Sequence, residues 1–129
     1  LVSGVPARDA GIIDAPIGRD PRHRKRMAVV AGGREARTRY RVLEQVSGWS
    51  LVELYLESGR THQIRVHMAY LGHSLFGDSV YGKRDPSLNR HFLHAHHLSF
   101  RHPVSGEILD LHSQLPSELA QVLDAVRLG

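Results

Sequence analysis

Apolar and polar positions alternate along two neighbouring stretches of the chain. Thr38, Tyr40 and Val42 interleave with Arg37, Arg39 and Arg41, and Val52, Leu54 and Leu56 interleave with Glu53, Tyr55 and Glu57. A period of two predicts strands with one covered face, and Ser47-Gly48 between them predicts the turn of an antiparallel hairpin. The period then changes. Ile64, Met68 and Leu71 recur at i, i+4 and i+7, one face of a helix, with Thr61 placed as N-cap and Gly72 as the stop. Leu1-Val2 reads as the end of a strand. Ile12-Ile13 reads as a short strand in a stretch broken by Pro6, Gly11, Pro16, Gly18 and Pro21. A loop punctuated by Gly77, Gly82, Pro86 and Asn89 follows the helix. His94, His96, Leu98 and Phe100 alternate as a further strand, Pro103 to Gly106 turns, and Ile108 to Leu111 returns. Ser117 is placed to cap a last helix with Leu119, Val122, Leu123 and Val126 on one side. These elements predict an α+β fold: a largely antiparallel mixed sheet, a central helix and a C-terminal helix.

Composition narrows the picture. At 129 residues the chain holds one domain. It has no cysteine, which excludes a disulfide framework, a zinc–thiolate site and a thiol nucleophile, and fits a cytoplasmic location. No apolar run is long enough to span a bilayer, and no signal-peptide pattern opens the chain, so no membrane partner is expected. The formal net charge is +4, and it is unevenly spread. Arg19, Arg22, Arg24, Lys25, Arg26, Arg34, Arg37, Arg39 and Arg41 lie close together against only Asp20 and Glu35. Such clustering favours a nucleic-acid surface over a merely solvated loop.

The segment Gly59-Arg60-Thr61-His62-Gln63-Ile64-Arg65-Val66-His67 carries the candidate chemistry. A helix N-terminus offers free N–H groups and partial positive charge. Arg60, His62, Gln63 and Arg65 would gather there into a site for a carboxylate or phosphate. The same spacing also fits an amphipathic helix whose solvated face happens to be basic.

That segment, continued by Ala69-Tyr70-Leu71-Gly72-His73 and Gly77-Asp78-Ser79-Val80-Tyr81-Gly82, resembles a signature of pseudouridine synthases. The branch is the RluA type, which acts on large-subunit ribosomal RNA and some transfer RNAs. Ile13-Asp14-Ala15-Pro16-Ile17-Gly18-Arg19 resembles a second segment of that family. Leu93-His94-Ala95 with Leu98-Ser99-Phe100 and His102-Pro103 resembles a third. The resemblance covers nearly the whole chain in the family's order. It departs at the start. The family's catalytic aspartate lies in a His-Arg-Leu-Asp segment, followed by a tyrosine in a strand ending Ala-Leu-Val-x-Gly, and Leu1-Val2-Ser3-Gly4 is similar only to the tail of that strand. The expectation is that residues 1–129 form the C-terminal part of a catalytic domain whose N-terminal part, with the aspartate, is missing. Asp14, Asp20 and Asp78 do not sit in the aspartate's motif.

The resemblance implies an isomerase that converts specific uridines of ribosomal or transfer RNA to pseudouridine, a fragment inactive by itself, with no cofactor and no metal. By position in the signature Arg65 is implied as the catalytic cation that pairs with the aspartate. Arg60, Thr61, His62, Gln63 and His67 are implied in RNA binding, and Leu93 and His94 near the extruded base. Removal of neighbouring strands implies self-association or recruitment of the missing N-terminal half.

Other readings compete. A non-catalytic RNA-binding module of the same fold is one. A histidine-rich metalloprotein is another, since the chain has ten histidines. His94 and His96 have a spacing that metal sites use, with His91, His97, His102 and His112 as further ligands. The absence of cysteine and the distance of carboxylates in sequence weigh against it. Tyr55, Tyr70 and Trp49 read as packing residues; Tyr81, in a glycine-flanked loop, is open between packing and base stacking.

Overall fold

The computed structural model describes residues 1–129, Phe100 by its backbone only. Its elements run β1 (Val2–Ser3), β2 (Ala10–Asp14), β3 (Ile17–Arg19), β4 (Met27–Val29), β5 (Arg37–Val46), β6 (Trp49–Leu56), α1 (Gln63–Tyr70), β7 (His97–Arg101), β8 (Ile108–His112) and α2 (Ser117–Leu128). One antiparallel sheet has the order β1-β6-β5-β2; β3–β4 and β7–β8 form separate two-stranded ribbons. The expected hairpin is β5–β6. Ser47 and Gly48 take φ of 47° and 83°, the two positive values of a turn whose twist matches the flanking strands. Leu43 is left without a partner where the register shifts between Val42 and Glu44, so the ladder continues around a bulge.

Among the described residues, three apolar clusters hold these parts together. Val2, Ile13, Ala15, Tyr40, Met68 and Leu75 join α1 to the sheet, with Val52 and Leu54 packed against them. Leu1, Phe76, Leu88 and Phe92 meet Leu119, Val122 and Leu123 of α2, and Trp49 packs on Phe76 with ring centroids 4.8 Å apart. Ile17, Ala36 and Val66 seat the β3–β4 ribbon on α1, with Met27, Val29 and Tyr81 around them. α1 ends as the sequence indicated. Gly72 takes φ 91°, its N–H donates to the Ala69 carbonyl, and the His73 N–H donates to that of Met68, which satisfies the last carbonyls of the helix.

Several expectations are corrected. Thr61 is not the N-cap of α1; His62 is, in a left-handed conformation (φ 56°) with no side-chain cap. The buried face of α1 is Gln63, Val66, His67 and Met68, and Leu71 is exposed. The helix is rotated from its apolar stripe because Gln63 and His67 find polar partners under it. Ser117 is the first residue of α2, after Pro116 at the N-cap. β7 begins at His97, so His94 and His96 do not share a strand. The side chain of Phe100, assigned to the same face by alternation, lies outside the described residues. Tyr55 and Tyr70 are exposed rather than packed.

Candidate functional site

α1 is fixed by a buried polar network. The His67 Nε2 lies 2.9 Å from the Ala15 carbonyl oxygen and its Nδ1 2.7 Å from Thr38 Oγ1. A carbonyl only accepts, so Nε2 carries the proton and the Thr38 hydroxyl donates to Nδ1. The Gln63 amide donates to the Arg37 carbonyl and to Thr38 Oγ1. Its oxygen accepts from Ser58 Oγ and the Arg60 N–H. All the hydrogen-bonding capacity of that amide is engaged. Fully satisfied buried networks rigidify what they connect, here α1, β5 and the segment after β2.

On the other side of α1, Arg65 meets Asp78. Nε and Nη2 of Arg65 donate to the two carboxylate oxygens at 2.9 and 3.0 Å, a side-on bidentate pair. The Arg65 side chain is 12% exposed and that of Asp78 is inaccessible. Asp78 Oδ1 also accepts the N–H groups of Val80 and Tyr81, which closes a turn. Burial by itself would raise the Asp78 pKa; Arg65 and the two N–H groups outweigh it and hold the carboxyl below its ordinary value. Within residues 1–129 the carboxylate that Arg65 meets is Asp78, one of the three aspartates that do not sit in the family's aspartate motif. Arg65 Nη1 makes no hydrogen bond among the described residues.

Around this pair stand Tyr81, His62 and His91. The Arg65 guanidinium carbon lies 5.0 Å from the Tyr81 ring centroid, within cation–π range. The Tyr81 hydroxyl accepts from the Met27 N–H and lies 2.9 Å from His62 Nδ1. Burial, then the charge of Arg65, lowers the pKa of both His62 and His91. Both rings are thus neutral near neutral pH, which fits His62 Nδ1 accepting the Tyr81 proton. Gly77 admits the return of the loop, since a β-carbon there would lie 2.4 Å from the Arg90 carbonyl oxygen.

The structure separates the residues that the sequence grouped. His62 stands beside Arg65. Gln63 and His67 are buried with their polar atoms engaged, so they hold the helix and offer no free group to a phosphate. Arg60 Nε donates to the Glu35 carbonyl, and Thr61 is exposed. Leu93 packs against the cluster under α1, and His94 Nε2 donates to the Ser113 carbonyl. Asp78 was set aside, His91 was read only as a possible metal ligand, and Tyr81 was left open between packing and base stacking. The run Gly77-Asp78 followed by Val80-Tyr81 carried a turn signal that could have placed the aspartate.

The basic stretch also divides. Arg39 and Arg37 pair with Glu57, and Arg41 with Glu53, because the β5–β6 register sets these side chains side by side. Arg26 pairs with Asp20. Arg19, Arg22, Arg24, Lys25 and Arg34 have no carboxylate partner among the described residues, and all are exposed. The first four surround the tip of the β3–β4 ribbon.

Fold and site together define an α+β domain with a half-buried cation beneath an exposed basic ribbon. Residues 1–70 match the family described as RNA pseudouridylate synthase, and the chain belongs to that family. It is 50% identical over 98% of its length to a ribosomal large subunit pseudouridine synthase D of Nitrosomonas europaea, of which it covers 39%. It is 54% identical over 95% of its length to an uncharacterized RNA pseudouridine synthase of Chloroflexus aurantiacus, again covering 39%. The chain thus spans about two-fifths of the length of these curated relatives. A solved structure of human RNA pseudouridylate synthase domain containing 1 superposes with a TM-score of 0.76 at 27% identity, over 99% of this chain and 63% of that one. The family and its α+β fold agree with the sequence resemblance, and neither the non-catalytic module nor the metalloprotein is favoured. No helix among the described residues is long and apolar enough to cross a membrane.

Proposed function

We propose that residues 1–129 are the C-terminal part of the catalytic domain of an RNA pseudouridine synthase that acts in the cytoplasm on large-subunit ribosomal or transfer RNA. The reaction breaks the bond from uracil N1 to the ribose and forms one from C5 to the same carbon. The C5 hydrogen leaves and N1 gains one, so no electrons are exchanged and no redox cofactor is required. An ionised carboxylate outside residues 1–129 acts on the nucleotide. Held without a partner in a closed site it would lose its charge. The observation that carries the reading is the Arg65–Asp78 pair: it fixes a permanent cation beside His62 and Tyr81 while leaving one terminal nitrogen for a second anion. The basic ribbon tip would hold phosphates on either side of the target, and His62 and Tyr81 would flank the base taken from its stack. Leu98, Ile108 and Leu111 are exposed apolar residues of the β7–β8 ribbon, which fits cover by the rest of the domain or by a second copy.

The test is tritium release from RNA labelled at uridine C5. The complete protein should release it, and residues 1–129 alone should not. Release by residues 1–129 alone would refute the external carboxylate; no release by the complete protein on ribosomal or transfer RNA would refute the activity.

A further inference from the structure

We propose that the β7–β8 ribbon carries a surface site for a divalent transition-metal ion, ligated by His97, Asp110 and His112. The site lies outside the Arg65 region and does not depend on the reading above. His97 and His112 are direct partners across the two antiparallel strands. Directly opposite residues project from the same face with their β-carbons close together. Asp110, two residues before His112, returns to that face. The imidazoles lie parallel at 6° with centroids 4.5 Å apart. His97 Nε2 is 2.7 Å from Asp110 Oδ1, and one ligand atom from each of the three residues lies within 4.8 Å of the others.

That spacing is close to what an ion needs. Bonds of about 2.0–2.1 Å in a tetrahedron set ligand atoms about 3.4 Å apart. All three side chains are exposed, so small rotations close the gap without moving packed atoms. Two imidazoles and one carboxylate select zinc, nickel or copper over magnesium or calcium, which prefer all-oxygen sets. Water completes the coordination on the open side. His96 does not join. Its Nε2 lies 3.4 Å from Glu53 Oε2 on β6, which holds it away from the trio. Of the histidines the sequence offered, His97 and His112 are brought together by the strand register, while His94 and His96 are not.

Zinc competition between a chromophoric chelator and the chain, prepared without a histidine tag, tests the site. One equivalent of Zn²⁺ should bind per chain. His97→Ala and His112→Ala should each weaken binding by about tenfold or more, at least the loss seen when a supporting residue is removed from a metal site. His23→Ala, on the exposed β3–β4 loop, should leave affinity unchanged. Asp110→Asn, nearly isosteric, should weaken binding while preserving the circular dichroism spectrum, and decides the matter if a histidine variant unfolds. Failure of the parent chain to compete for zinc would overturn the proposal. So would unchanged affinity in Asp110→Asn and in the His97→Ala/His112→Ala double variant.

Discussion

Arg65→Ala in the complete enzyme is expected to lower turnover about a hundredfold or more, the scale on which loss of one preorganised charge-stabilising donor is felt. RNA affinity should stay within a few-fold of the parent, because the phosphate contacts proposed above lie on the ribbon tip and not on α1. Arg65→Lys should recover little. An ammonium supplies charge but cannot reproduce the two parallel bonds to Asp78 and still present a free nitrogen. Single-turnover conversion with RNA saturating, next to filter binding of the same RNA, separates the two quantities. Turnover that survives Arg65→Ala removes the basis for the proposed mechanism.

Asp78→Ala is expected to cost about 3–5 kcal/mol of stability, the range for breaking one side of a buried ion pair. Three consequences of the change act together. Arg65 is left largely buried without its counter-charge, the turn at Val80 and Tyr81 loses its acceptor, and a small void opens. Asp78→Asn separates them. An asparagine oxygen can still accept from the Val80 and Tyr81 N–H groups, so its remaining deficit reports the charge pair. The Asp78 pKa is held below its ordinary value, so its stabilising share is present above the unfolded pKa, near 3.9, and is lost as pH falls through the lower folded value. Urea unfolding of both variants at neutral pH gives the comparison. A deficit below about 0.5 kcal/mol for Asp78→Asn, the scatter of ordinary surface changes, would show that the pair does not anchor the site.

The parts of the fold legible in the sequence were those governed by local periodicity. The β5–β6 hairpin announced itself because Thr38, Tyr40, Val42, Val52 and Leu54 share one covered face, and Gly72 because a left-handed residue was needed after α1. The rotation of α1 was not legible. It depends on Thr38 and the Ala15 carbonyl, 29 and 52 residues from His67, and no repeat in the helix itself encodes them. Arg65 was singled out by its place in the signature, but its partner within the chain comes from a loop 13 residues on, where spacing has no period to read. The basic run was legible only in part, for a simpler reason. Counting arginines along the chain ignores the neighbouring strand, and Glu53 and Glu57 pair with all three arginines of β5 from there. Likewise His94 kept the alternation of a strand while its ring turned back to the Ser113 carbonyl, so the strand begins later than the pattern implied.

The Tyr81 hydroxyl touches two bodies at once: the backbone of β4 and the ring of His62 at the entry to α1. The ribbon and the first turn of the helix that carries the guanidinium are thus joined twice, by this one oxygen and by the apolar seat of Ile17, Ala36 and Val66, so neither can shift without straining the other.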